Sequence, residues 1–200
     1  MFGLIRTFFW CIVFCISLYI IKQKKFLNKK WQLVLFFISI LTLWTVSGLL
    51  PVENVFITFS SPQKAYKYVN SEEVQLVVQG EDTAFVVGKE SSRNYVCLIV
   101  PKSDSGWKIG RGLDTKLVEQ KIVDGIVVYV YRYRKTDDYY VTISDVRGNE
   151  VDISDNNNSL FYVLEEDDDY YTYYAYVNEL DEKYMLTVNG NAFKLDLELS

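Results

Sequence analysis

The sequence predicts a membrane-anchored α+β protein, in which a two-helix transmembrane hairpin precedes a mainly β extracytoplasmic region. Three features support this fold class: two long apolar runs near the amino terminus, five lysines between them, and alternating apolar residues beyond residue 70. The first fifty residues hold six of the 21 basic residues and none of the 26 acidic ones. Residues 51–200 therefore hold 15 basic and 26 acidic residues, a net charge of −11.

Two apolar runs predict the transmembrane hairpin within residues 1–50. Residues 4–21 contain a single charge, that of Arg6, and residues 31–50 contain none. Since a helix needs about 20 apolar residues to cross a membrane, both runs are predicted to be spans. The alternatives are a buried helix pair in a soluble protein and a cleaved signal peptide followed by one anchor. We favour the uncleaved hairpin, because no A-x-A site follows the first run and soluble helices are rarely apolar on all faces.

Five lysines lie in the segment 22–30 between the predicted spans, and they determine the predicted orientation. Short loops rich in lysine stay in the cytoplasm, so both termini and residues 51–200 are predicted to be extracytoplasmic at the cell membrane. Only Cys97 lies outside the apolar runs, and the outer region therefore has no internal disulfide, which favours a bacterial cell envelope. The topology determinants are Lys22, Lys24, Lys25, Lys29 and Lys30.

After a juxtamembrane segment at 51–60, residues 61–112 predict a small unit with one helix and a β-meander. Ser61 is a good N-cap, Pro62 suits the first helical position, and Asn70 can end the helix. The strand-like runs "EVQLVVQ", "TAFVVGK" and "NYVCLIV" follow, and Trp107 with Ile109 indicates a fourth strand.

The segments "FSSPQKAYKYV" and "SGWKIG", with the strands between them, support one resemblance. This pattern of about fifty residues resembles the ectodomain of uncharacterised small membrane proteins of Gram-positive bacteria, which have two transmembrane helices and a β-rich ectodomain. The resemblance implies no activity and no site residues.

Residues 121–200 predict an immunoglobulin-like β-sandwich made of short strands. Asp124-Gly125 and Asn189-Gly190 suit two-residue hairpin turns, and Gly148-Asn149 indicates a third hairpin. The cysteine–tryptophan–cysteine core of antibody domains is absent from the sequence.

Catalytic chemistry is not predicted, and neither a cofactor nor a metal is expected. The chain has no histidine, which removes histidine triads and histidine metal sites, and it has no phosphate-binding loop or nucleophile-elbow motif. Acidic runs at 152–158 and 165–169 could hold calcium, but adjacent acids on a strand point to opposite faces and the EF-hand spacing is missing. We interpret these runs as solvated loops.

Tyrosine supplies the candidate binding surface, since fifteen of the 16 tyrosines lie beyond residue 50. In "VYVYRYR" the tyrosines share one strand face, and Val128, Val130 and the arginines share the other. If the valine face is core, the rings form a platform for a partner. The alternative is that the rings support the sheet by aromatic pairing. The predicted partner-binding residues are Tyr129, Tyr131, Tyr133, Arg132 and Arg134.

The predicted function is a membrane-tethered extracytoplasmic binding or interaction module. Its expected partners are the lipid bilayer and another envelope protein, a peptide or a glycan, whereas the charge of −11 argues against nucleic acid. The alternative function is a structural or regulatory subunit of a membrane complex that acts through its transmembrane helices. Replacing the spans with an unrelated anchor separates these two functions.

Overall fold

The structure is a computed structural model with two compact units, residues 1–57 and 58–200. It describes residues 2–23, 31, 34, 36–42, 45, 51–91, 94–134, 136–148, 151–167, 169–178, 180–181 and 183–195. Each unit is presented separately.

The first unit contains helix α1 (Phe2–Gln23) and a 3₁₀ turn at Val52–Val55. Residues 31, 34, 36–42 and 45 are also helical. The rings of Phe14 and Phe36 lie 4.3 Å apart between centroids, which packs α1 against this second helical segment.

No helix in the described part of the chain combines the length and the apolar character that a membrane crossing requires. The predicted two-span hairpin, and with it the membrane-anchored fold class, the transmembrane assignment and the cell-membrane localisation, is therefore wrong. A span needs about 20 apolar residues within one helix. An apolar run in a sequence does not by itself show that its residues form one such helix. α1 includes Arg6 and Lys22 within its bounds, and the second run is described as helix at only some positions.

The orientation of the chain across the membrane was predicted from the lysines between the two spans, so it has no basis once the spans are wrong. Lys22 lies in the last turn of α1. The other four topology lysines, Lys24, Lys25, Lys29 and Lys30, lie outside the described residues.

The second unit begins with helix α2 (Pro62–Val69) and a four-stranded antiparallel sheet in the order β1-β2-β3-β4. The Ser61 hydroxyl accepts a hydrogen bond from the Lys64 amide at 3.3 Å, so Ser61 is the N-cap of α2, as predicted. The first two strands begin and end where the sequence predicted. The strands are β1 (Glu73–Gln79), β2 (Thr83–Lys89), β3 (Tyr95–Ser103) and β4 (Gly106–Trp107).

Two further sheets form a sandwich from the remaining strands. The five-stranded sheet has the order β5-β6-β7-β10-β9, and the three-stranded sheet has the order β12-β11-β8. Apart from β5, this is the A-B-E-D and C-F-G arrangement of constant-type immunoglobulin domains. The strands are β5 (Thr115–Val123), β6 (Ile126–Tyr133), β7 (Asp138–Arg147), β8 (Ile153–Asp155), β9 (Phe161–Asp167), β10 (Tyr170–Asn178), β11 (Met185–Val188) and β12 (Asn191–Lys194).

Two of the three predicted hairpins are present. Asp124-Gly125 joins β5 to β6 and Asn189-Gly190 joins β11 to β12, and all four residues have positive φ, as type I′ turns require. The hairpin predicted at Gly148 is wrong, because β7 pairs with β10 while β8 crosses to pair with β11. Local turn chemistry did not distinguish a hairpin from a crossover between sheets.

The unit is layered as helix, four-stranded sheet, five-stranded sheet and three-stranded sheet, with a core between each pair of layers. Strand β2 explains how two of these cores are filled: Ala84 and Val86 pack toward α2, whereas Phe85 and Val87 pack toward the five-stranded sheet. Alternate residues of a strand point to opposite faces, so a strand covered on both faces is apolar at every position. The sandwich core includes Val128, Val130, Val141, Ile143 and Leu186.

A buried carboxylate, that of Asp138, joins the four-stranded sheet to the start of β7. Oδ2 accepts hydrogen bonds from the Asp82 amide at 2.9 Å, the Thr83 amide at 2.6 Å and the Thr83 hydroxyl at 2.7 Å. Oδ1 accepts from the Glu81 amide at 3.2 Å and the Tyr176 hydroxyl at 2.9 Å. Five donors therefore compensate for the loss of water around a side chain that is 2% exposed.

We expect Asp138→Asn to lower the free energy of unfolding by about 3 kcal/mol, because an amide NH2 cannot accept the bonds that one carboxylate oxygen accepts. Urea unfolding measures the change. Asp137→Asn is the matched control, since Asp137 is exposed and immediately precedes this site. Equal stability of the two variants would contradict the role given to Asp138.

Buried tyrosines predict a loss of stability at alkaline pH. Burial, followed by the charge of Glu72, raises the pKa of Tyr66 to about 12. Burial and the carboxylate of Asp114 raise the pKa of Tyr133 to about 12. In the unfolded chain tyrosine loses its proton near pH ~10, so the stabilising difference is complete below that pH and is lost as the pH rises toward about 12.

The expected result is a urea midpoint that falls between about pH 10 and about pH 12. Tyr66→Phe, which removes one of the titrating groups, should make this fall less steep, at some cost in stability at neutral pH. Tyr162→Phe is the control, because Tyr162 is 39% exposed. An unchanged slope in Tyr66→Phe would argue against the pKa assigned to this residue.

Candidate functional site

The structure places the tyrosines predicted as a binding surface between two sheets. Val128 and Val130 lie in the sandwich core, so the predicted separation of the two faces of β6 is correct. The opposite face is covered in part by the four-stranded sheet: Tyr133 is 4% exposed, and Tyr129 and Tyr131 are half-buried. These rings are thus not a free platform along their whole length.

Phe85 of β2 is the centre of the aromatic contacts on this face. Its ring centroid lies 6.0 Å from that of Tyr131, 5.3 Å from that of Tyr140 and 6.0 Å from that of Tyr174. Tyr129 stacks on Tyr131 with centroids 6.0 Å apart. Burial also raises the pKa of the Tyr131 hydroxyl. The sequence signal that could have shown this coverage is the apolar run at 84–87 in β2, because strands covered on both faces have apolar residues at successive positions.

The two arginines predicted at the rim make contacts within the chain. Arg132 Nη1 donates to the Tyr139 hydroxyl at 3.0 Å, and the Arg132 guanidinium lies over the Tyr139 ring. Arg134 Nη2 lies 2.9 Å from Asp114 Oδ2, and Tyr133 donates to the same oxygen at 3.1 Å. A role for these five residues in partner binding stays a prediction.

Tyr131→Ala should lower stability, because it removes a half-buried ring that stacks on Phe85. A loss of about 2 kcal/mol is expected, which is less than for a fully buried aromatic side chain. Thermal unfolding measures it, with Tyr131→Phe as the control that keeps the ring and loses only the hydroxyl. An unchanged Tm for Tyr131→Ala would contradict this packing and would favour the exposed binding surface that the sequence predicted.

A cavity of about 520 Å³ lies at one end of the sandwich, where the ends of several strands meet. Its apolar lining comes from four different strands or their flanks, and its polar lining comes from exposed side chains at the turns. The apolar residues are Ile126, Val146, Val151 and Val188, and the others are Asp124, Gly125, Arg147, Tyr170 and Asn189. We call this cavity the turn-end pocket.

Hydrogen bonds between neighbouring turns hold the rim of the turn-end pocket. The Asn189 amide donates to the Asp152 carbonyl at 2.8 Å, and the Asp152 amide donates to Asn189 Oδ1 at 3.2 Å. The Gly148 amide donates to the Asp169 carbonyl at 2.7 Å. Gly148 has φ +82°, a conformation that glycine adopts without strain. These hydrogen bonds therefore join the described turns at the rim to one another.

The strand order shows which end of an immunoglobulin domain corresponds to this end of the sandwich, and the sequence alone did not show this. With β7 and β8 equivalent to strands B and C, and β11 and β12 to F and G, the pocket lies beside the B–C and F–G connections. In immunoglobulin variable domains, the loops at this end form the antigen-binding surface. The Asp-Gly and Asn-Gly pairs identified two of the turns, but nothing in the sequence showed that they converge.

The acidic runs supply no metal site in the part of the chain that the structure describes, since no three acidic or cysteine side chains are grouped to hold an ion. Asp155, predicted to lie in a solvated loop, is 8% exposed and has a structural role. Its Oδ1 accepts from the Asn157 and Ser159 amides, and its Oδ2 accepts from the Tyr184 hydroxyl at 2.9 Å. Tyr184 lies just before β11, close to the place of the tyrosine corner in immunoglobulin-like domains.

Cys97 is exposed on β3, although the apolar run "YVCLIV" around it is typical of a buried thiol. Cys97 and Ile99 lie on the same face of β3. Burial on that face increases along the strand, so Ile99 is buried while Cys97 is exposed. An apolar run of this kind was not enough to predict which positions face the core.

Comparisons with protein-family models, with curated proteins and with solved structures found no match. The resemblance to small membrane proteins of Gram-positive bacteria therefore stays a prediction. The turn-end pocket is the candidate functional site.

Proposed function

We propose that this chain is a binding module that accepts an apolar side chain of a peptide or protein in the turn-end pocket. The observation that supports this function is the combination of an aliphatic floor and a polar rim in a cavity of about 520 Å³. Ligand pockets commonly measure about 300 to 1,000 Å³ and have a few polar groups around an apolar lining.

The lining favours an apolar side chain over a sugar. Four aliphatic residues line the pocket, and Val146 and Val188 among them are buried. An apolar side chain seated there is covered in part, so it contributes less than the value for full burial, about 2 kcal/mol. Tyr170 is the one aromatic residue of the lining, whereas the flat face of a sugar ring packs best on aromatic rings.

The rim supplies hydrogen bonds of both kinds to the main chain of a ligand. Asp124 and the amide oxygen of Asn189 can accept, and Arg147 can donate through its guanidinium. Tyr170, 42% exposed, combines a ring with a hydroxyl, as residues at interfaces often do. The net charge of −11 in residues 51–200 disfavours a nucleic-acid ligand.

The test is a screen of short fluorescent peptides against the full chain. Peptides with a central leucine, isoleucine or phenylalanine should bind, and those with serine at that position should not. Tyr170→Ala and Arg147→Ala should each weaken binding by about tenfold, which corresponds to about 1.4 kcal/mol. Met185→Ala is the control, since Met185 is 41% exposed and lies away from the pocket lining.

A panel of monosaccharides is titrated in parallel. Binding of sugars instead of peptides, with the same dependence on Tyr170, would contradict the proposed ligand class. Peptide binding that is unaffected by both pocket variants would contradict the proposed site.

A further inference from the structure

Strand β9 forms one edge of the five-stranded sheet, and no described strand pairs with its outer side. An edge strand presents backbone N–H and C=O groups to which another extended chain can pair. β9 pairs with β10 in continuous register from Glu165 to Phe161, with a shift only at its far end. It contains neither lysine nor proline.

The other edges have features that hinder pairing with a further strand. β5, at the opposite edge of the same sheet, has a register shift between Leu117 and Glu119 and contains Lys116 and Lys121. β1 has a register shift between Val74 and Leu76. The edge strands of the three-stranded sheet have three and four residues. Bulges, charged residues and short strands are the usual protections of sheet edges. In β9 the bulge and the acidic residues lie at the far end, so residues 161–164 form an unprotected stretch.

The side chains of β9 offer apolar contacts on both faces of the sheet. Tyr162 is 39% exposed and Val163 is 49% exposed, and as neighbours in a strand they point to opposite faces. Leu160, just before the strand, is 66% exposed. The Tyr95 hydroxyl donates to the Glu165 carbonyl at 2.7 Å, so the open stretch of the edge is the first half of the strand.

Charge determines which extended chain suits this edge. Residues 165–169 are five consecutive acids, and residues 51–200 have a net charge of −11. A second copy of the chain would add the same negative charge, whereas lysines or arginines at the ends of a peptide would be attracted.

We propose that β9 binds a basic, extended peptide by β-strand addition. The peptide backbone pairs with the outer edge of β9, its alternate apolar side chains pack beside Tyr162 and Val163, and its basic residues lie near the acidic run. The strand-pairing stretch, residues 161–164, does not line the turn-end pocket, although the acidic run ends at Asp169, beside Tyr170 of the pocket lining. The proposal does not depend on the function proposed for the pocket.

The experiment measures fluorescence anisotropy of a labelled peptide, KKVTVTVKK, with the full chain. We expect binding that weakens with added salt, no binding of EEVTVTVEE, and a loss of about tenfold or more when the central valine is replaced by proline or its amide is methylated. Equal binding of the proline or methylated peptide would overturn the proposal, because backbone pairing would then not contribute. These peptides are tested on the unaltered chain, so the result does not depend on the folding of a variant.

Two variants locate the site on the protein. Val163→Lys should weaken binding of KKVTVTVKK by about tenfold, because it places a lysine on the edge, whereas Ile122→Lys should change it by less than about twofold. Ile122 is 69% exposed on the opposite edge of the same sheet, so the control introduces the same charge. Equal effects of the two variants would overturn the proposal.

Two further outcomes are informative. Arg147→Ala, in the turn-end pocket, should not weaken binding of this peptide, because it removes a positive charge close to the acidic run. A loss of binding would assign the peptide to the pocket instead. Sedimentation that shows a dimer of the unaltered chain, abolished by Val163→Lys, would make a second copy the occupant of β9 and overturn the proposal.

Discussion

The structure of the second unit depends on the burial of the Asp138 carboxylate between two sheets. A buried charge is costly unless it is hydrogen-bonded, and the turn between β1 and β2 supplies backbone amides for this purpose. The carboxylate thereby fixes the four-stranded sheet against the sandwich. Because that sheet covers much of one face of the five-stranded sheet and the three-stranded sheet covers the other, little of either face remains for a ligand.

The many tyrosines are explained by this layered arrangement. A tyrosine ring fills the space between layers, and its hydroxyl needs a partner when it is buried. Several hydroxyls find one on a carboxylate or threonine: Tyr176 donates to Asp138, Tyr184 donates to Asp155, and Tyr140 bonds to Thr83. Burial raises the pKa of Tyr140 and Tyr184, so both hydroxyls stay protonated further into the alkaline range than an exposed tyrosine does. Tyrosine enrichment here reflects the packing of sheets as well as any recognition.

Covering the sheet faces leaves the turns and the edges as the places where a ligand can bind. The turn-end pocket exposes the end of the sandwich core beside turns that are joined by hydrogen bonds. β9 exposes backbone along a strand whose first four side chains are apolar and whose last three are acidic. The first surface suits a side chain and the second suits a main chain, so the two sites would recognise different features of a partner.

The sequence by itself determined the local structure: the cap and bounds of α2, the bounds of β1 and β2, the turns at Asp124-Gly125 and Asn189-Gly190, and the separation of valines from tyrosines on β6. Backbone preferences and a two-residue period encode these features within a few residues. Tertiary structure decided the pairing of β7 with β10, the coverage of Tyr131 and Tyr133, and the convergence of turns into a pocket. These features depend on contacts between segments that lie far apart in the sequence, and a local pattern of residues does not encode such contacts. The apolar amino-terminal runs show the same limit, since their composition predicted spans that the described helices do not provide.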